Sequence, residues 1–300
     1  MGASMEAHTT IMTIGFIGQG FIGKNYANDF ENRGLSIIRY SMEEPYIANK
    51  EKIADCDLVF IAVPTPTTPT GFDDTILRAV LPLVGKGKTA VIKSTILPGT
   101  TKKLQEDFPD IFVLNSPEFL TEKTAAYDAA HPERNIVGIP KKDAEYEKHA
   151  QEVISVLPKA PYELIADSSE TELIKYAGNI FLYFKIMYAN VFYEIAQLAG
   201  ANYDVIKDAV AADPRIGPSH LKVIDQSGHP GAIPGRGAGG HCFIKDFAAL
   251  RKFYERYPGA DPETVALMLA LEIKNKELLT KSNKDLDLLA EVYGPSLSQL

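Results

Sequence analysis

Along the first half of the chain, short runs that are apolar at both odd and even positions alternate with longer stretches of helical period. The runs at 13–18, 36–40, 57–63, 89–95, 111–115 and 135–139 are rich in β-branched residues and read as strands. Apolar character on both parities suits a parallel sheet covered on two faces, where neither side of a strand meets water. Helical patterns fit between them near 21–33, 73–84, 99–107, 120–130 and 142–157. The alternation is a βαβ series and predicts an α/β, Rossmann-like, doubly wound parallel sheet.

After a short extended run at 162–166 the pattern changes. A helical period holds from about 170 to 199, with Ser169 and Glu172 at capping-box spacing and Gly200 at the end. Leu173, Ala177, Ile180, Phe181, Phe184, Met187, Val191, Ile195 and Leu198 form its apolar stripe, expected to face the core. A helix over 203–212 follows, then a Gly- and Pro-rich segment at 214–241 without helical period, then helices over 243–256 and 261–291. A structureless loop that long inside a compact domain is expected to be functional or disordered. The predicted organisation is an extension over 1–12, a nucleotide-type domain over 13–166, an all-α domain with a long helix over 167–294, and a tail over 295–300.

Composition narrows the class. The 300 residues suffice for two domains, and 45% apolar with 23% charged residues is ordinary for a globular protein. A net charge of −8 without a Lys/Arg run argues against nucleic acid, and no apolar run is long enough for a bilayer. The start, MGASMEAHTT, lacks the basic and apolar regions of a secretory signal, and Met12 is the expected natural start. Two cysteines make no disulfide framework, so a cytoplasmic protein is expected. The histidines and cysteines show no metal-ligand spacing, so no metal is expected.

Candidate chemistry begins at Gly18-Gln-Gly20-Phe21-Ile22-Gly23, directly after the first strand and at the start of a helix. In that context the glycines read as a dinucleotide fingerprint: Gly18 for the turn, Gly20 for a pyrophosphate, Gly23 for helix–strand packing. An acid on the ribose is expected after the second strand, but the sequence there is SIIRYSMEE, with Ser41 in its place and Arg39 nearby. Either Arg39 accommodates a 2′-phosphate, as NADP requires, or Glu43 or Glu44 takes the ribose of NAD. At three later strand ends stand Thr65 between two prolines, Ser94-Thr95, and Pro117-Glu118 with Glu122 beyond. Ligands gather at such ends in open α/β sheets. Lys175 and Asn179 lie four apart on the long helix, off its apolar stripe, suited to holding a substrate oxygen. Finally, GRGAGGHCFIKD puts Cys242 behind four glycines, with Lys245 and Asp246 after it.

The ordered set formed by the Gly18–Gly23 fingerprint, VPTP at 63–66, KST at 93–95, SPEFLTE at 116–122, ELIKYAGN at 172–179, DPRIG at 213–217 and GRGAGGHCFIKD resembles the UDP-glucose/GDP-mannose dehydrogenases over residues 13–275. The resemblance implies NAD-dependent, four-electron oxidation of a nucleotide sugar's CH2OH to a carboxylate, a homodimer built on the central helices, and a place in polysaccharide biosynthesis. It makes Cys242 the nucleophile. Lys175, Asn179, Glu118 and Asp246, with Thr95, would bind substrate or handle protons and water. Phe119, Leu120, Arg215 and Gly239 would be further substrate contacts, Arg215 across a dimer. Thr65, Thr95, Glu122 and Lys245 would join Phe21, Ile22, Arg39 and Ser41 at the cofactor. A thiolate must be available near neutral pH, and His241 and Lys245 are the expected positive neighbours. Cys56, in IADCDLV, is expected to be packing.

The sequence departs from the family in four places. The chain ends at Leu300, where relatives continue into a third, nucleotide-binding domain. Ser41 replaces the ribose acid. The 215–235 loop is long, with His241 where a small residue is common. Tyr193 precedes Glu194 where Asn is usual. Two other readings stand beside the leading one: a two-electron β-hydroxyacid dehydrogenase, which needs the Lys/Asn pair but no cysteine, and a non-catalytic dinucleotide-binding module or partner subunit.

Overall fold

The computed structural model describes residues 12–295. It divides into two compact units. One runs to Pro64 and resumes over Thr75–Thr171; the other takes Thr65–Asp74 and the described chain from Glu172 on.

In the first unit, β1 (Ile14–Ile17), α1 (Phe21–Asn32), β2 (Ile37–Tyr40) and β3 (Leu58–Ile61) open the sheet. The second unit's hairpin, β4 (Thr67–Thr68) and β5 (Gly71–Phe72), interrupts. The first unit then continues with α2 (Thr75–Val80), β6 (Thr89–Ile92), α3 (Thr100–Asp107), β7 (Phe112–Asn115), α4 (Ala125–Ala130), β8 (Arg134–Ile139), α5 (Ala144–Val156) and β9 (Tyr162–Asp167). The sheet order is β2-β1-β3-β6-β7-β8-β9. Pairing is parallel except between β7 and β8, where Asn115 opposes Gly138 in an antiparallel step. The all-parallel expectation fails there; the 116–133 link, with α4 inside it, is long enough for a crossover, so its length does not account for the antiparallel step. Strands β1, β3 and β6 are buried at every position, as their unbroken apolar runs require. Phe16, Phe30 and Phe60 meet at centroid distances of 5.1–5.4 Å beneath α1.

The second unit consists of α6 (Ser168–Leu198) from Glu172 on, α7 (Tyr203–Ala211), α8 (Gly240–Glu255), α9 (Pro262–Ser282) and α10 (Leu286–Tyr293), with the β4–β5 hairpin on α8 and α10. Tyr183 and Met187 of α6 pack with Phe247 of α8 and Met268 and Leu278 of α9. Two expectations are corrected. The helix placed at 261–291 is two helices, because Asn283 and Asp285 adopt left-handed backbone (φ 54° and 51°) and end α9. Most of the apolar stripe of α6 faces outward: Leu173, Phe181, Phe184, Val191, Ile195 and Leu198 are exposed, while Met187 alone of the stripe's large side chains is buried. The buried face otherwise carries Lys175, Tyr176, Tyr183 and Asn190. Aromatic hydroxyls and paired polar groups fill that face, so hydropathy alone chose the wrong side.

Candidate functional site

The first unit presents the glycine loop at the sheet's carboxyl edge. Gly18 adopts φ 90°, and a Cβ there would run into the Ala62 carbonyl of the neighbouring strand end. Gly23 would meet the Gly18 carbonyl, so it permits the close approach of α1 to its own loop. Gly20 differs: no atom lies within 4 Å of where its Cβ would be. It caps α1 without a side-chain acceptor, and the first turn holds no acid. An open approach to helix N–H groups, with no carboxylate in place, fits a dinucleotide's phosphates. Phe21 is exposed at the helix start and Ile22 is packed against the core cluster.

Arg39 is buried and its Nε and Nη2 pair with both oxygens of Glu31 at 3.0 and 2.6 Å. Nη1 reaches Gln19 Oε1 in the glycine loop at 3.4 Å. Its guanidinium thus braces α1 and the loop, with most donors already engaged. Ser41 follows β2 and turns back on Glu43, donating to its carbonyl and accepting from its N–H. At the other strand ends, Ser94 Oγ bonds both N and O of Val63 and ties β6 to β3. Thr95 beside it is half-buried. Lys93 is buried, 3.2 Å from Ser116 Oγ and 4.3 Å over the Tyr26 ring. Glu118 is buried and accepts from Leu120 N, Arg134 stacks on Phe119, and Glu122 is exposed. Burial and the Glu118 carboxylate push the Tyr26 phenol far up, keeping it neutral.

In the second unit the polar residues converge on Asp246. It is buried and accepts from Asn179 Nδ2 at 2.6 Å and Lys245 Nζ at 2.5 Å. Asn179 and the buried Lys175 stand one turn apart on α6; Cys242 and Asp246 stand one turn apart on α8. Cys242 is exposed in the first turn of α8, where N–H groups and the helix dipole favour a thiolate. Tyr176 is buried nearby, its phenol held well above the usual range by burial and by Asp246 and Glu172. Lys245, read as a cofactor contact, is spent at least in part on Asp246. Thr65, read likewise, belongs to this unit and is buried. Arg215 is exposed and forks onto Asp213, with Nη2 at 2.6 Å. Cys56 is fully buried, its thiol pushed up to about 11 by burial and flanking aspartates.

The glycine loop around Gly235–Gly240 has a cause the sequence did not reveal. Added Cβ atoms would meet Ser282 and Lys284 at Gly235, Asn275 Oδ1 at Gly237, and Asp285 with Lys284 at Gly239. These glycines make room for the end of α9, so Gly239's lack of a side chain is explained by protein contacts. Asn275 accepts from Ala238 N at 2.7 Å and donates to Ala238 O at 3.0 Å. Lys284 Nζ donates to the Gly237 carbonyl at 3.1 Å. Arg236 crosses to α6, bonding Asn190 Oδ1 and Glu194 and lying 4.9 Å over the Tyr193 ring. Tyr193 therefore serves as a stacking platform where the family has Asn. The long segment before the loop is likewise built: Asp225 and Gly235 bridge, and Gln226 bonds Ala232 O. Asn275, Lys284 and Asp285 were missed because they lie far along the chain, with the polar run KSNKD at 281–285 as the only hint; His229, close by in the 214–241 segment, was missed because its partner Asp285 is remote.

Comparison with known proteins agrees with this geometry. Residues 45–156 match the NAD binding domain, and 169–272 the central domain, of the UDP-glucose/GDP-mannose dehydrogenase family. The chain is 32% identical over 260 residues to the UDP-glucose 6-dehydrogenase TuaD of Bacillus subtilis, covering 81% of this chain and 52% of that protein. It is 34% identical over 216 residues to a UDP-glucose 6-dehydrogenase of Rhizobium meliloti, covering 68% and 47%. The chain thus spans about half the length of these curated relatives. A solved UDP-glucose dehydrogenase from Pyrobaculum islandicum superposes with TM-score 0.74 at 25% identity, over 90% of this chain and 70% of that one. A 3-hydroxyisobutyrate dehydrogenase from Mycobacterium tuberculosis, at 15% identity and TM-score 0.66 over 94% and 98%, shares the fold. No helix among the described residues is long and apolar enough to cross a membrane. A glycine loop open at a helix start, a cysteine in the first turn of α8, and Asn179 and Lys245 bound to Asp246 suit an oxidoreductase, and the two matching domains place the chain in the UDP-glucose/GDP-mannose dehydrogenase family.

Proposed function

We propose that the chain oxidises the C6 hydroxymethyl of a nucleotide sugar of the UDP-glucose type to the uronic acid, using NAD twice and Cys242 as nucleophile. The observation that carries this reading is the convergence of Asn179 and Lys245 on Asp246, one turn from Cys242. The residues at 13–166 serve as the dinucleotide domain and those at 167–294 as the catalytic one. Gly18, Gly20 and Gly23 with the start of α1 would hold the dinucleotide, which supplies a hydride acceptor when bound. NAD is preferred to NADP because Arg39 already forks onto Glu31.

The chain's own residues account for the rest. Lys175 and Asn179 hold the sugar oxygen as its proton leaves and C6 becomes an aldehyde. The Cys242 thiolate adds to the aldehyde carbon, forming a thiohemiacetal whose oxygen the same pair stabilises. Loss of a second hydride leaves a thioester. Water oriented by Asp246 or Glu118 attacks it, the C–S bond breaks, and thiolate and carboxylate are released. The balance is two hydrides and three protons out and one water in. The exposed stripe of α6, with Phe181, Val191 and Ile195, is the surface on which a second copy would seat to form a homodimer. With two cysteines, too few for a disulfide framework, the reducing cytoplasm is its compartment.

The test is turnover with NAD and a panel of UDP- and GDP-sugars, with the product identified by mass spectrometry. Two NADH per carboxylate are expected, and Cys242→Ser should stop short of the acid. One NADH with an aldehyde or ketone product would return the two-electron reading. Tight NAD binding with no turnover of any sugar would return the non-catalytic one.

A further inference from the structure

The first residue of α8 is held by an ion pair rather than by a neutral cap. Asp285, whose side chain is fully buried, accepts from Gly240 N at 2.7 Å, Ser227 Oγ at 2.6 Å and His229 Nε2 at 2.8 Å. Gly240 lies two residues before Cys242. The other His229 nitrogen, Nδ1, sits 3.1 Å from the Pro230 carbonyl. With an acceptor at each ring nitrogen, both are satisfied only when both carry protons, so the site is built for imidazolium. The His229 ring stands edge-on to His241, centroids 5.2 Å apart, and His241 adjoins Cys242.

We propose that the Asp285–His229 pair is a charge-compensated mount for the start of α8, and that His229 is a positioning residue that keeps Cys242 reactive. A carboxylate on the first N–H of a helix offsets the positive end of the dipole and opposes a thiolate in the same turn. An imidazolium on that carboxylate cancels the opposition while the anchoring hydrogen bond stays. The charged groups around the pair are Lys284 beside Asp285 and Asp287 on α10. Around Cys242, α8 carries His241, Lys245 and Asp246, and α6 brings Asn179 onto Asp246. The inference rests on reading Cys242 as the nucleophile, but its test needs no substrate.

The experiment is iodoacetamide alkylation of the full chain across pH 6–8, with Cys242 followed by peptide mass spectrometry. Buried Cys56 reports unfolding, since it reacts only if the fold opens. His229→Gln leaves Asp285 uncompensated and is expected to raise the midpoint by about half a pH unit, or about threefold slower alkylation at a pH below it. Adding Asp285→Asn removes the opposing charge and is expected to restore the rate. His229→Arg, a permanent cation, is expected to hold it. A merely structural role predicts the reverse: the double variant looser than the single and the midpoint unmoved. His229→Gln with an unchanged or lower midpoint overturns the proposal, as does a double variant slower than the single. If His229→Gln exposes Cys56, the His229→Arg profile decides alone: a midpoint raised by half a unit overturns it, and one at the wild-type value upholds it. Carboxylate formation by Cys242→Ser would sink the catalytic reading and leave these alkylation results standing.

Discussion

Asn275→Leu tests whether the cysteine-bearing loop is built from α9. The amide is buried, takes the Ala238 N–H at 2.7 Å and donates to the Ala238 carbonyl at 3.0 Å. Leucine repeats the branched outline of the side chain, so the change removes both polar contacts without opening a large cavity. It strands one N–H and one C=O in a buried place, at roughly 1–3 kcal/mol each, or about 2–6 kcal/mol in all. Each kcal/mol moves the unfolding midpoint of a chain this size by roughly 2–4 °C, so a drop on the order of 10 °C is expected. Thermal unfolding followed by circular dichroism reads the midpoint, and alkylation of Cys242 at 25 °C reads the loop. A midpoint within about 2 °C of wild type would refute the reasoning, because it would mean that the Ala238 groups find other partners at little cost.

The two loop glycines separate folding from binding. Gly18→Ala forces a side chain into left-handed backbone and onto the Ala62 carbonyl, and should destabilise the fold by about 2 kcal/mol or more in urea unfolding. Gly20→Ala meets no protein atom, so its unfolding midpoint should stay unchanged while NADH affinity, read by fluorescence titration, falls at least about tenfold. The Asp285–His229 pair gives loop protection a pH window. Hydrogen bonds hold Asp285 below its ordinary 3.8 against the opposing effect of burial, so its contribution is present above that value and lost as pH falls through the folded pKa. Asp285 raises His229 above 6.5, so that contribution is full below 6.5 and lost as pH rises through the folded pKa. Amide exchange at Gly240, corrected for intrinsic rates, should be slowest between about pH 4 and 6.5; protection that keeps rising above pH 7 would contradict this. Phe181→Glu with Ile195→Glu, both at exposed positions, should leave folding intact and, on the proposed homodimer, give a monomer in sedimentation where the wild type sediments as a dimer.

Much of this was legible in the sequence, and the failures have physical reasons. The strands of the large sheet emerged within three residues of their observed ends because buried parallel strands are apolar on both parities, whereas the short β4–β5 hairpin did not emerge. Gly18 and Gly23 showed their turn and packing roles because local backbone geometry alone dictates them. Cys242, Asp246, Lys175 and Asn179 stood out through spacing on two helices. The orientation of α6 did not, since its outward stripe is more apolar than the face that carries Lys175 and Asn190. Nor did the reason for the second glycine run. Gly235, Gly237 and Gly239 look like room for a ligand until Asn275, Lys284 and Asp285 arrive from some forty residues later. Residues 1–11 and 296–300 lie outside the described chain, so the extension and most of the tail read there keep their standing as expectations.

The β4–β5 hairpin has a consequence for how this protein is made and dissected. Lys252 of α8 bonds the carbonyls of Thr68 and Pro69, and Arg256 that of Thr70, so the second unit borrows its covering from a piece threaded between β3 and α2. A fragment begun at Glu172 would leave α8 and α10 bare on that side, and supplying the hairpin as a separate peptide should restore it. On the ribosome the same ten-residue segment, 65–74, emerges long before α8 exists. It must wait, unpaired with its final partner, while the remaining strands of the sheet are laid down.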